Sequence, residues 1–191
     1  MSPPDPRAGS LRLFFALLPD TAARRALAAL AHDLARETGG RATRAENLHL
    51  TLAFLGRVPQ SRVAQVEAAG ARAAATAEPF MLELDRVGVF RSAGVAWAGP
   101  REVAPALRQV FATLSEALHE AGFAVEARAF HPHLTLARRS ARPPAERGAL
   151  RVGWRADAIV LMVSETLPAG AAYRVLASWP LRGGASPQPL R

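Results

Sequence analysis

The pentapeptide His-Leu-Thr-Leu-Ala occurs twice in the chain, at residues 49–53 and again, 84 positions later, at residues 133–137. Its setting repeats as well. Each copy follows an apolar run that ends in a proline (Pro19, Pro100), then a stretch of helical period, then a glycine (Gly39, Gly122). Self-similarity of this kind marks a duplicated structural unit. Two β-α-β units of near-equal length, each closing on the same five residues, predict a duplicated fold with approximate two-fold symmetry.

The rest of the chain can be read around these units. Residues 11–18 have the look of a buried strand stopped by Pro19. Asp20 or Thr21 can cap a helix that carries Leu27, Leu30 and Leu34 on one face, and Gly39-Gly40 ends it. Residues 48–55 read as a strand closed by Gly56, and Ser61 opens a helix with Val63, Val66 and Ala73 inward. Residues 80–90 and 94–98 read as strands. Val103, Leu107, Val110, Phe111, Leu114 and Leu118 mark an amphipathic helix that stops at Gly122. A strand over 133–138 precedes a long Pro- and Arg-rich loop over 140–155, and strands over 159–164 and 173–179 complete the pattern. Residues 11–181 are expected to form a single domain of two lobes, with residues 1–10 and 182–191 as flexible tails.

In a strand, side chains alternate between faces. His49, Thr51 and Ala53 therefore share one face, as do His133, Thr135 and Ala137, while the leucines and Phe54 face a core. If the two units come together, one groove holds two imidazoles and two hydroxyls. That set suits in-line displacement at phosphorus, where a base serves the incoming oxygen and an acid serves the leaving one. Histidine can do either near neutrality. Threonines, with an arginine, can hold the equatorial oxygens. Strict alternation turns Arg138 away from the groove, whereas a twist at the strand end would swing it back toward phosphate. Phe130 can either stack on a base or pack.

Composition removes competing chemistries. With Cys 0 there is no thiol nucleophile, disulfide or cysteine-ligated metal. All 24 basic residues are arginine, so there is no Schiff-base, P-loop or adenylated lysine. The net charge of +8 draws in polyanions, although a lysine-free, Ala- and Gly-rich chain also reflects codon bias. The Arg138-Arg139, Arg142, Arg147 and Arg151 cluster could follow an RNA backbone. His131 and His133 form an H-x-H pair that elsewhere ligates metal, but no further ligand of familiar spacing accompanies it. No metal and no cofactor are expected. No apolar run reaches membrane-spanning length, and residues 1–10 lack a signal-peptide core, so the reading is a cytoplasmic monomer with no membrane association and no obligate protein partner.

The residues carry a resemblance. Two H-x-T-x motifs, in the contexts Glu46-Asn47-Leu48-His49-Leu50-Thr51-Leu52-Ala53-Phe54-Leu55-Gly56 and Phe130-His131-Pro132-His133-Leu134-Thr135-Leu136-Ala137-Arg138, resemble the 2H phosphoesterase superfamily and its LigT-like branch. The likeness extends from residue 11 to 181. It implies a two-lobed, pseudo-two-fold α+β fold with antiparallel sheets lining a central cleft and helices outside. It also implies metal-independent hydrolysis of RNA terminal 2′,3′-cyclic phosphate to a 2′-phosphate, with His49 as proton donor, His133 as proton acceptor, and Thr51 and Thr135 on the phosphate. The same site in reverse would join such an end to a 5′-hydroxyl without ATP. RNA with a cyclic-phosphate end, tRNA fragments among them, or a cyclic nucleotide is the expected partner. The alternatives are the same chemistry on another ester, such as an ADP-ribose cyclic phosphate or a 2′-5′ oligoadenylate, and a binder of cyclic-phosphate ends without turnover.

Overall fold

The computed structural model describes residues 9–125, 130–144, 150–167 and 170–181. Ten strands and three α-helices follow one another along these residues. Strand β1 (Ser10–Leu17) leads to helix α1 (Thr21–Thr38), then to the two-residue β2 (Arg41–Ala42), a 3₁₀ turn (Ala45–Asn47) and β3 (Leu50–Pro59). Helix α2 (Val63–Ala74), β4 (Phe80–Leu84), β5 (Arg86–Phe90) and β6 (Val95–Gly99) come next. Helix α3 (Pro105–Glu120) precedes β7 (Leu134–Arg138), β8 (Val152–Ala156), β9 (Ala158–Leu167) and β10 (Gly170–Pro180). The tails expected at 1–10 and 182–191 lie outside the described residues, apart from Gly9 and Ser10; Ser10 begins β1, opposite Pro59.

Helix α1 begins and ends on the predicted residues. The Asp20 carboxylate accepts a 2.8 Å bond from the Ala23 amide. Gly39 closes the helix in the left-handed region at φ 71, where a side chain would be strained. Leu27 and Leu34 face the core, while Leu30 is half-buried.

The large sheet runs β10-β9-β1-β3-β7-β6-β5 with antiparallel pairing, and β2 adds to β7. Apart from the edge strand β10, this order is symmetric about the β3–β7 junction. Strands β1 and β9 flank β3 as β6 and β5 flank β7. The halves meet at a single residue pair, Leu50 opposite Leu134, both fully buried. Helix α1 lies against β7 and α3 against β3, so each helix supports the motif strand of the other half. Leu13, Phe15 and Leu17 of β1 face the helices, with Leu27, Leu34, Val66, Leu107 and Leu114 packed beneath. Phe14 and Ala16 point to the opposite face, among Val160, Met162 and Tyr173. Burial on both faces explains the continuous apolar run that opens the chain.

Four expectations are corrected. The stretch 80–90 is two strands, broken at Asp85: β4 pairs with β8 in a separate two-stranded sheet, and β5 pairs with β6. The break is held by the Asp85 carboxylate, which accepts from the Arg101 amide at 2.7 Å. The loop expected over 140–155 contains β8, which buries only Trp154 and Ala156 fully and so carries a weak apolar pattern. Gly56 does not close β3; the strand runs on to Pro59, with Gly56 at φ 67 beside a register shift. Phe54, expected in the core, is 49% exposed. No helix among the described residues is long and apolar enough to cross a membrane.

Helix α2 approaches the sheet closely through Gly70. A β-carbon there would lie 2.7 Å from both Phe15 Cε1 and Trp179 Cζ3. Gly70→Ala gains about 1 kcal/mol of helix propensity but forces overpacking that costs about 1–3 kcal/mol. The expected net effect is destabilisation of up to about 2 kcal/mol in urea denaturation. A stabilised variant would show that α2 is free to move away from the sheet.

Candidate active site

Both copies of the pentapeptide carry a β-bulge at the same residue, the second leucine. In β3 against β1, Phe15 faces Ala53 and Ala16 faces Thr51, so Leu52 is the extra residue. In β7 against β6, Ala96 faces Ala137 and Trp97 faces Thr135, so Leu136 is the extra one. A bulge reverses the alternation of everything after it. Leu52 and Ala53 are accordingly both buried, as are Leu136 and Ala137. The alanines do not face the groove, contrary to strict alternation. The residue that follows each alanine does turn to the open face. In the first copy this is Phe54, with the Arg12 guanidinium 5.1 Å from its ring centre. In the second copy it is Arg138, and the bulge, rather than an end-of-strand twist, is what turns it toward the site.

The two histidines precede their strands and are held alike. His49 Nδ1 lies 2.8 Å from the carbonyl of Asn47, and His133 Nδ1 lies 2.8 Å from the carbonyl of His131. A carbonyl only accepts, so each Nδ1 carries the proton and each Nε2 is left for chemistry. The segment that carries the first of these carbonyls is itself anchored. Arg24 donates to the carbonyls of Ala45 and Pro19 at 3.3 Å, and the Asn47 side-chain amide donates to Ala171 at 2.9 Å. His131 is exposed and serves the site through its backbone.

Their surroundings differ. The His49 ring sits between Phe14 (centroids 4.8 Å) and the edge of Tyr173 (5.1 Å, 90°). Burial among these rings is the main reason its pKa falls from 6.5 to about 4, with the positive charges of Arg138 and His133 adding to the effect and the Asn47 carbonyl opposing it. The coupling to Arg138 and His133 places all three within one electrostatic neighbourhood. His133 makes one aromatic contact, edge-on with Phe90 at 5.0 Å, and Phe90 in turn stacks on Trp97.

A cavity opens from His49. Thr135, Arg138, Asn47, Tyr173 and three further arginines, Arg41, Arg44 and Arg139, are in its wall, and among the described residues no carboxylate is. His133 and Thr51 stand outside that wall. Thr51 lies two residues beyond His49 on the same face and is half-buried. Phe130 does not reach the cavity: it stacks on Phe111 of α3 with centroids 3.8 Å apart. Of the arginine cluster, Arg138 and Arg139 line the cavity, Arg142 lies against Gly39 instead, and Arg147 is outside the described residues. Sequence reasoning did not single out Phe14, Tyr173, Arg41 or Arg44. Phe14 and Tyr173 are ordinary strand residues by type, and Arg41 and Arg44 lie in a short segment without periodicity.

The fold and site define a class. A family model described as the 2′-5′ RNA ligase superfamily matches residues 18–166. The RNA 2′,3′-cyclic phosphodiesterase of Thermus thermophilus is 32% identical over 181 residues, covering 91% of this chain and 91% of that protein. The protein of the same name from Geobacillus stearothermophilus is 34% identical over 147 residues, covering 72% of this chain but 46% of that longer relative. Among solved structures, Escherichia coli LigT complexed with 3′-AMP superposes with a TM-score of 0.80 at 28% identity, covering 91% of this chain and 99% of that one. The Thermus thermophilus structure TT0787 gives 0.77 at 30% identity, covering 92% and 100%. The chain belongs to the 2′-5′ RNA ligase superfamily, the LigT-like 2H phosphoesterases.

Because the folded chain holds His49 neutral, it binds fewer protons than the unfolded chain between about pH 6.5 and pH 4. Its contribution to stability is full above 6.5 and is lost as the pH falls toward 4. Between pH 7 and pH 4.5 the loss amounts to about 2–3 kcal/mol. Urea denaturation at both pH values should show the wild type losing that much more than His49→Gln; equal losses would contradict the assignment. Arg138→Gln removes one of the opposing charges, so the His49 midpoint in an NMR titration should rise. An unchanged midpoint would place Arg138 away from the ring.

Proposed function

We propose that this protein is an RNA 2′,3′-cyclic phosphodiesterase that opens a terminal 2′,3′-cyclic phosphate to a 2′-phosphomonoester without a metal. The observation that carries this reading is the duplicated His-x-Thr pair on the two central strands, with both Nδ1 atoms tied to the carbonyl two residues upstream. The names of the relatives support it.

Each group has a task. Water attacks phosphorus from the His133 side and gives its proton to Nε2 of that ring. The P–O3′ bond breaks, and O3′ takes a proton from Nε2 of His49, leaving the phosphate on O2′. Thr51 and Thr135 donate to the non-bridging oxygens, and Arg138 supplies positive charge beside them. His49 must be protonated to act as donor, yet the free site favours the neutral ring. A phosphate between the rings reverses this, because its negative charge offsets the field of Arg138 and favours the imidazolium. Substrate binding and proton uptake are thereby coupled. One step needs a protonated His49 and the other a free Nε2 on His133, so the rate profile is bell-shaped.

With a 5′-hydroxyl in place of water, the same path joins two RNA ends through a 2′-5′ linkage, the energy coming from the cyclic ester. Residues 11–181 act in this reading as one catalytic unit of two lobes. The natural substrates are cyclic-phosphate RNA ends, tRNA fragments among them, met in the cytoplasm.

His49→Ala and His133→Ala should each lower kcat on a nucleoside 2′,3′-cyclic phosphate by about 10²–10⁴-fold with the circular dichroism spectrum retained. Near-normal turnover in both variants would end the proposal. Phosphorus NMR of the product should show the phosphate on O2′; a 3′-phosphate would reverse the donor and acceptor. EDTA should leave the rate unchanged, and inhibition reversed by zinc would point to a metal instead.

A further inference from the structure

The cavity wall is built asymmetrically about the two histidines. It runs from His49, the ring on the leaving-group side, and gathers Arg41, Arg44, Arg138 and Arg139 with no carboxylate among the described residues of the wall. Arg138 bears on the charge state of His49, and Arg41 and Arg139 share the same wall with it.

Two local features run against stability. Arg41 and Arg138 are directly opposite each other in the β2–β7 pairing, and like charges in that position repel. Arg139 adopts φ 59, a left-handed backbone conformation and the only positive φ of a non-glycine among the described residues. Bulky side chains seldom occupy that region, and where they do the surrounding structure holds them there for a purpose. Among the described residues, Arg41, Arg138 and Arg139 form no ion pair. The wall also contains Thr43, whose buried hydroxyl has no hydrogen-bond partner among the described residues. An anion seated between Arg41 and Arg139 accounts for these features together, since it neutralises the repulsion and gives the guanidinium groups oxygens to grip bidentately.

We infer that Arg41 and Arg139, with Arg138 shared between them and the reacting centre, form a second phosphate subsite for the phosphate on O5′ of the terminal nucleotide. The inference rests on the reading above, in which His49 protonates O3′. That role places the ribose on the His49 side, and the 5′-phosphate then leads outward along the arginine-lined wall. The preferred substrate class is therefore a cyclic-phosphate end that also bears a phosphate on O5′, as the last nucleotide of an RNA chain does. A nucleoside 2′,3′-cyclic phosphate alone fills only half of the site.

The test compares three substrates: cytidine 2′,3′-cyclic phosphate, the same compound with a 5′-phosphate, and a dinucleotide ending in the cyclic phosphate. In the wild type, kcat/KM for the second and third should exceed that for the first at least tenfold, the gain lying in KM. Arg41→Ala and the double variant R41A/R139A should reduce this preference to about threefold or less. Arg101→Ala, at a remote arginine near Asp85, should keep it. The slope of log KM for the dinucleotide against log salt should flatten by about one for each arginine removed. Arg41→Ala should melt no lower than the wild type, because it relieves a like-charge pair. Preference for the 5′-phosphorylated compound without preference for the dinucleotide would restrict the subsite to phosphate monoesters and overturn the RNA assignment. Equal kcat/KM for all three substrates in the wild type, or a preference that survives in R41A/R139A, would overturn the subsite.

Should the wild type turn over none of them, the catalytic reading fails, and the subsite is decided separately by binding. Cytidine 2′,5′-bisphosphate should bind at least tenfold more tightly than cytidine 2′-monophosphate, and R41A/R139A should abolish the difference. Equal binding of the two by the wild type would remove the subsite.

Discussion

The site depends on one contact in the backbone, the pairing of Leu50 with Leu134 at the centre of the large sheet. Through it the two halves of the chain share a sheet, and the residue before each leucine is a histidine. Both leucines are fully buried, so a slip in register would carry them out of the core together. Core packing thus sets how far apart the imidazoles stand. The helices reinforce this, since α1 lies under β7 and α3 under β3. Neither half can shift without disturbing the helix that supports the other.

The symmetry places groups in matching positions, and the sequence then makes them different. A bulge at Leu52 and its counterpart at Leu136 turn the residue five beyond each histidine to the open face. On one side that residue is Phe54 and on the other Arg138. Phe14 and Tyr173 crowd His49, whereas Phe90 touches His133 edge-on. The outcome is one imidazole held neutral beside concentrated positive charge. Such a site is at its least favourable when empty and gains most from an anion that restores the proton to His49. Identical backbone support for both rings, with different surroundings, lets one duplicated motif supply an acid and a base.

Much of this was legible in the sequence because it rests on local signals. The repeat exposed the two units, Asp20 and Gly39 marked the ends of α1, and the paired His-x-Thr motifs supplied the candidate site residues. The errors share a cause. Alternation assumes unbroken pleating, and nothing in His-Leu-Thr-Leu-Ala announces that its second leucine is a bulge. Alternation misplaces Ala53, Ala137 and Phe54 through that one residue, and the same bulge decides the direction of Arg138, which alternation alone leaves open. The break at Asp85 and strand β8 were hidden for a different reason: their pairing is long-range, and β8 fully buries only Trp154 and Ala156. Arg41 entered the site through a two-residue strand that no periodicity can reveal.

The most direct measurement of whether both rings serve one phosphorus is a long-range proton–nitrogen NMR titration of the histidine side chains with a nucleoside 2′-monophosphate. The account requires Nε2 of His49 and Nε2 of His133 to shift along a single saturation curve at one ligand per chain, while both Nδ1 signals remain protonated. Separate curves, or a response confined to one ring, would contradict it.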